Sequence, residues 1–175
     1  MNRDNQQERP KQFRVSVPEK IGWYFAGFVD GEGSFNISLR YKQDYKQKWQ
    51  PVLSFNVSQR DITILILMKR HFKCGIIKRR KDGLYSYDVT NPTALQERII
   101  PFFNKYNFFS NNKKYNFSLF KRAVKIMYDK RHLTDEGLKE LLEIREKINK
   151  GKGRTRKYTI SDVLESPETT RQVPI

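Results

Sequence analysis

Apolar and polar residues alternate from Ser34 onward. Phe35, Ile37 and Leu39 are apolar while Asn36, Ser38 and Arg40 are polar, a period of two that predicts a strand over Ser34 to Arg40. The pattern returns with Leu53, Phe55 and Val57 inward and Ser54, Asn56 and Ser58 outward. The two runs, joined by the polar and aromatic stretch Tyr41 to Gln50, predict a hairpin with one apolar face and one hydrogen-bonding face. Before them the pattern is helical. Ser16 and Glu19 have the spacing of a capping box, and Pro18 suits the first turn of the helix it opens. Gly22, Ala26 and Gly27 predict that this helix packs closely against a second helix. It runs into Asp30-Gly31-Glu32-Gly33, where the glycines are expected to turn the chain sharply.

A second helix is expected from Ile62, capped by Asp61, to about Phe72, with Gly75 as its stop. Ile76 to Arg80 and Tyr85 to Thr90 predict a second hairpin, with Tyr85, Tyr87 and Val89 inward and Lys78 and Arg80 on the opposite side. A helix follows from Thr90 or Asn91 through Ile99, interrupted at Pro101, and then an aromatic core cluster of Phe102, Phe103, Tyr106, Phe108 and Phe109. Two longer helices are expected, one from near Asn112 to about Lys130 and one from Thr134 to near Gly151. The order predicts an α+β fold: a four-stranded antiparallel sheet with helices on one face and a polar, basic face left open.

Composition sharpens that picture. The 175 residues suffice for one domain with a real core, and 35 Lys and Arg against 19 Asp and Glu give a net charge of +16. A polyanionic partner follows, nucleic acid before an acidic membrane. Lys69 to Lys81 holds seven basic residues and Lys147 to Lys157 six, neither with an acid. Residues 1–15 read as a flexible basic and polar arm, 16–150 as the folded domain, and 151–175 as a basic strap and tail. No apolar run is long enough for a membrane span, and no secretory signal opens the chain. The lone Cys74 excludes a disulfide framework within one chain and suits an intracellular, reducing compartment, bacterial cytoplasm or organelle matrix. His71 and His132 are isolated and are not read as ligands.

The candidate chemistry lies at Asp30-Gly31-Glu32-Gly33. The C-terminal end of a helix is electronegative, so a further carboxylate there calls for a cation beside it. Glu32 and the backbone carbonyl of Gly31 are oxygen donors of the kind a hard divalent ion takes. The outward residues of the hairpin are rich in amide and guanidinium donors, which match base edges.

The block Phe25-Ala26-Gly27-Phe28-Val29-Asp30-Gly31-Glu32-Gly33 resembles the LAGLIDADG motif of the homing endonucleases. With one copy, the chain is similar to the single-motif, homodimeric, intron-encoded branch. The resemblance extends more weakly from Pro18 to about Lys157. It implies an α-β-β-α-β-β-α core whose sheet lies as a saddle on double-stranded DNA. It also implies metal-dependent phosphodiester hydrolysis: a double-strand break in a long, roughly palindromic target. An RNA-binding intron maturase on the same fold is the alternative. The implied cofactor is Mg²⁺, with Mn²⁺ as a substitute and Ca²⁺ supporting binding without cleavage.

Residue by residue, the resemblance makes Glu32 the metal-binding carboxylate and Asp30 a residue of the helix end and interface. It places Ala26 and Gly27 with Asp30 at the dimer interface and makes Gln59 a catalytic residue. A basic residue expected four places later is Thr63 here, and Arg60 is a candidate replacement. The active-site lysine matches Lys113 or Lys114, which the spacing does not separate. Base-reading positions fall on Asn36, Ser38, Arg40, Lys42, Asp44, Tyr45, Gln50 and Asn56, and on Lys78 and Arg80. Thr155, Arg156 and Lys157 resemble a phosphate-contacting segment.

Overall fold

The computed structural model describes residues 17–43, 48–150 and 156–164. Helix α1 (Glu19–Glu32) leads directly into strand β1 (Gly33–Tyr41), which pairs with β2 (Trp49–Gln59). Helix α2 (Thr63–Phe72), β3 (Ile76–Arg79) and β4 (Tyr85–Val89) follow. Helix α3 covers residues 92–105, α4 is Asn111–Tyr128, α5 is Asp135–Lys147 and α6 is Ile160–Leu164. The antiparallel strands lie in the order β1-β2-β4-β3. The expected α+β architecture is present.

Register follows the alternation. Phe35 pairs with Phe55 and Val57 with Tyr87, so one face of the sheet is a continuous apolar layer. The fully buried Phe35 sits at its centre, with the rings of Phe55, Phe103, Phe108, Phe117 and Phe120 at 5.0–6.1 Å between centroids. Burying a ring of this size stabilises the fold by about 1.5–3 kcal/mol. The opposite face carries Asn36, Ser38, Arg40, Ser54, Asn56, Ser58, Ser86 and Asp88. Strand pairing continues to Tyr41 and Trp49, so the connection between β1 and β2 is shorter than the polarity of Tyr41 to Gln50 suggests.

Several local expectations are corrected. Pro18 is the N-cap of α1 rather than a first-turn residue, and among the described residues no side chain caps that end; Ser16 lies outside them. Asp61 does cap α2, accepting from the Thr63 N–H at 2.8 Å, but the left-handed stop is Lys73 at φ 52°. Pro101 does not interrupt α3. Leu95–Ile99 form a π-helical turn just before it, and this wider turn relieves the clash and missing hydrogen bond that a proline imposes on a regular helix. Phe109 is 81% exposed, outside the core that holds Phe102, Phe103, Tyr106 and Phe108.

Residues 156–164 pack against the domain. Tyr158, Ile160 and Val163 join Trp49, Leu138 and Leu142 in a second small core. Arg156, expected at phosphate, instead turns its guanidinium to the backbone carbonyls of Arg145 and Ile148 at the end of α5 and pairs with Glu146 at 3.1 Å. A cation at a helix C-terminus is favoured by the exposed carbonyls and the dipole there. Residues 156–164 therefore splint the far end of the β1–β2 hairpin to α5. Residues 1–15 and 151–155, and with them Thr155, lie outside the described residues, as do Asp44 and Tyr45.

Candidate active site

The site begins where α1 becomes β1. The expected sharp turn is absent: Gly31 is helical, and Gly33 is extended at φ −80° and ψ 155° while its N–H still donates to the Val29 carbonyl. A Cβ on Gly33 would lie 2.4 Å from Val29 Cγ1, so glycine is required by close packing rather than by a left-handed backbone. Glu32, the last residue of α1, is exposed. Among the described residues its carboxylate accepts no hydrogen bond and forms no ion pair. The Gly31 carbonyl is one of the last four of the helix, which lack intrahelical partners.

Asp30 is a latch within the chain. Its carboxylate accepts from the N–H of Phe109 and of Ser110, both at 2.9 Å, and from the Ser110 hydroxyl at 2.5 Å. Burial works to raise the Asp30 carboxyl, but these hydrogen bonds and the charge of Lys113 outweigh it and hold the group below its usual value. Ser110 is also the N-cap of α4, accepting from the Lys113 N–H at 3.3 Å. The latch thus fixes where α4 starts, and with it which lysine reaches the site. Lys113 sends its Nζ to the Gly33 carbonyl. Burial lowers its pKa, opposed by the nearby charges of Asp30 and Glu32. Lys114 points elsewhere, into a 370 Å³ hollow with Asn104, Asn107 and Lys121. The structure therefore separates the two lysines that spacing alone leaves equivalent.

Gln59 ends β2 opposite Tyr85, on the helical side of the sheet by strand parity. Thr63 starts α2 and is engaged by Asp61, so the expected cation is absent there; Arg60 is exposed and the half-buried cation beside Glu32 is Lys113. Among the described residues no group of three or more His, Cys, Asp or Glu side chains could hold a metal ion. One chain offers Glu32 and the Gly31 carbonyl, hard oxygen donors that leave room for waters and for donors from another chain or from phosphate, which is how Mg²⁺ is commonly held.

The open face gathers most of the base-reading candidates. Asn36 stands opposite Ser54, Arg40 opposite Gln50, and Lys78 opposite Ser86, which in turn faces Ser58. Asn36 is held in place by Asn149, whose Nδ2 donates to the Phe35 carbonyl at 2.6 Å and to Asn36 Oδ1 at 3.2 Å. Lys42 and Lys157 are exposed, Lys157 with its Nζ 5.3 Å from the Tyr158 ring centre. Arg80 lies just beyond β3, paired with Asp82 at 2.8 Å in an exposed contact of the kind that is easily given up. Arg156, as described, is engaged at the end of α5. Sequence reasoning passed over Ser86 and Asp88, although their alternation with Tyr85, Tyr87 and Val89 already placed them outward.

The residues expected at the dimer interface divide between the inner and outer faces of α1. Ala26 is buried in its own chain's core, and a Cβ on Gly22 would meet the Tyr106 ring at 2.3 Å, so both small residues serve internal packing. Asp30 is likewise satisfied internally. Gly27 and Gly31 do face outward, with nothing within 4 Å of a Cβ at either, next to Trp23 at 44% and Tyr24 at 53% exposure.

A profile described as LAGLIDADG endonuclease matches residues 25–124, which span α1 through most of α4. The chain belongs to the LAGLIDADG endonuclease family. A Neurospora crassa protein named Probable intron-encoded endonuclease 2 is 32% identical over 81% of this chain, which corresponds to 32% of that protein. The solved homing endonuclease I-TnaI is 31% identical with a TM-score of 0.69, covering 74% of this chain and 88% of that one. I-SmaMI, solved on an uncleaved DNA target with calcium ions, is 34% identical with a TM-score of 0.70 over 74% of this chain and 45% of its own. The chain thus spans about a third of that Neurospora crassa relative and under half of I-SmaMI. No helix among the described residues is long and apolar enough to cross a membrane.

Proposed function

We propose that this chain is a site-specific homing endonuclease that makes a double-strand break in a long, roughly palindromic DNA target as a two-fold dimer. The observation that carries the reading is the Asp30–Ser110–Lys113 latch, which holds a half-buried cation beside the free carboxylate of Glu32 at the rim of a polar sheet face. The names of the relatives are those of endonucleases, which favours DNA cleavage over the maturase alternative.

Glu32 and the Gly31 carbonyl of each copy would hold the divalent cation, Mg²⁺ or Mn²⁺. When bound, that cation supplies charge stabilisation at the scissile phosphate and an activated water. The chain's own residues do the rest. Lys113 adds a positive charge beside Glu32 for a phosphate oxygen, and its burial keeps that charge from being dissipated by solvent. Gln59, at the end of β2, orders water at the rim. The open face of the β1–β2 hairpin enters the major groove, which admits a two-stranded ribbon.

The decisive experiment incubates the protein and Mg²⁺ with a library of long DNA duplexes and sequences the cut ends. Paired cuts at one related site are expected; uncut or randomly degraded DNA would overturn the reading. Binding should also weaken steeply with salt. Contact with about six to ten phosphates costs about 10³–10⁵ in affinity between 50 and 200 mM salt. A flat salt response would remove the Lys69–Lys81 cluster from the DNA surface.

The dimer is tested at Gly27. A Cβ there meets nothing within 4 Å in its own chain. Gly27→Leu should therefore fold normally and act only across the interface, where overpacking costs about 1–3 kcal/mol. Sedimentation is expected to show a monomer without double-strand cleavage. An active dimer would place the interface away from this face.

A further inference from the structure

We propose that Asp88 and Ile76 together form a cytosine-reading site on the sheet, a specificity determinant that follows from the hydrogen-bond wiring around them. The inference rests on the DNA-binding reading above. Asp88 lies opposite Asn56 on β2 and Ile76 on β3, so the three side chains share the open face. The carboxylate can only accept, which fixes the Asn56 amide with its nitrogen towards Asp88. Asn56 Nδ2 donates to Asp88 Oδ1 and, at 2.8 Å, to Ser86 Oγ. Ser86 Oγ donates to Asp88 Oδ2 at 2.9 Å, and Ser58 Oγ donates to Asn56 Oδ1 at 3.3 Å.

These bonds spend the side-chain donor hydrogens of Asn56, Ser58 and Ser86. What the cluster offers outward is acceptor capacity alone, centred on a negative charge. A phosphate is repelled there. In the major groove the matching groups are exocyclic amines, N4 of cytosine and N6 of adenine. Ile76 then separates the two. It is 48% exposed and directly across the strand pair from Asp88, where side chains lie side by side. Beside its amine, cytosine presents the apolar C5 edge, which fits an isoleucine. Adenine presents N7, an acceptor that finds no donor here. Lys78, two residues along β3 on the same face, offers the donors that suit guanine N7 and O6 at a neighbouring position.

The test is a binding profile in Ca²⁺ buffer, in which every base pair of a selected target is replaced in turn. Wild-type protein should show one position per half-site where cytosine is preferred about 5- to 150-fold, with 5-methylcytosine tolerated because the methyl meets Ile76. Asp88→Asn keeps the shape but introduces an amide that can donate, and Asp88→Ala removes the acceptor. Both should erase the cytosine preference at that position and leave the others intact. A profile unchanged in both variants overturns the inference. So does uniform weakening at all positions with a lowered melting temperature, which would make Asp88 a structural member of the sheet. Wild-type protein that selects no sequence at all overturns the DNA reading itself, whereas selection without a cytosine position overturns only this inference.

Discussion

Glu32→Gln is expected to abolish cleavage while leaving folding and DNA affinity close to wild type. Glu32 is exposed at the end of α1 and forms no internal hydrogen bond among the described residues, so glutamine disturbs no packing. The change removes the charge that would hold the cation. Losing several kcal/mol of charge stabilisation in the transition state corresponds to a rate loss of about a thousandfold or more. In the proposed dimer each copy would supply one Glu32 for one strand, so mixed dimers of wild type and Glu32→Gln should nick a single strand. The readout is a supercoiled plasmid carrying the target: linear product from wild type, open circles from mixed dimers, neither from the variant. Linear product at the wild-type rate from Glu32→Gln would move the active site elsewhere.

Asp30→Ala is expected to produce the second largest effect, and it reaches the chemistry indirectly. It removes the acceptor of three hydrogen bonds that hold Phe109 and Ser110, and so frees the start of α4 on which Lys113 is carried. Loss of hydrogen bonds to a charged but partly exposed group should cost about 1–2 kcal/mol of stability. A shift of about 1 Å in a positioned group can cost about a hundredfold in rate, so cleavage should fall further than stability suggests. The pH dependence identifies the cause. Burial tends to raise the Asp30 carboxyl, but the Ser110 and Phe109 bonds and Lys113 leave it below 3.8 in the folded chain. Its contribution to stability is therefore present above 3.8 and is lost as the pH falls through the lowered value. Denaturant melts of wild type and Asp30→Ala should differ at neutral pH and converge in strong acid. A difference independent of pH would assign the effect to packing.

How much of this was legible depended on whether the information was local. The strands were, because alternation at Phe35, Ile37, Phe55 and Val57 dictates both register and face. The Asp61 cap and the Thr134 cap, whose hydroxyl accepts from Gly137 N–H at 3.1 Å, were readable for the same reason. Pro101 misled because relief came from a π-helical turn that no residue announces. The packing of Ala26 and Gly22 was not legible, because small residues look alike whether they meet another chain or, like Gly22, a tyrosine of their own. The choice between Lys113 and Lys114 depended on Asp30 reaching Ser110 across 80 positions of chain. Arg156 belonged by composition with the cationic residues around it; only the fold reveals that the end of α5 claims it. Ser86 and Asp88 were visible by parity, but their wiring to Asn56 requires β2 and β4 to be neighbours, a fact of topology.

The absence of any turn between α1 and β1 has a practical consequence for altering such a protein. Glu32 and Asn36 are four positions apart, joined by the extended residues Gly33, Ser34 and Phe35, a span of about 13 Å. If the proposed roles hold, that stretch is a ruler between the place of cutting and the first letters read. Substitutions on the sheet can change which letters are accepted, but none can change how far they lie from the break. Inserting one residue into the ruler would turn every downstream side chain to the opposite face. Redesigned variants of this chain should therefore inherit the same cutting offset, whatever sequence they are made to choose.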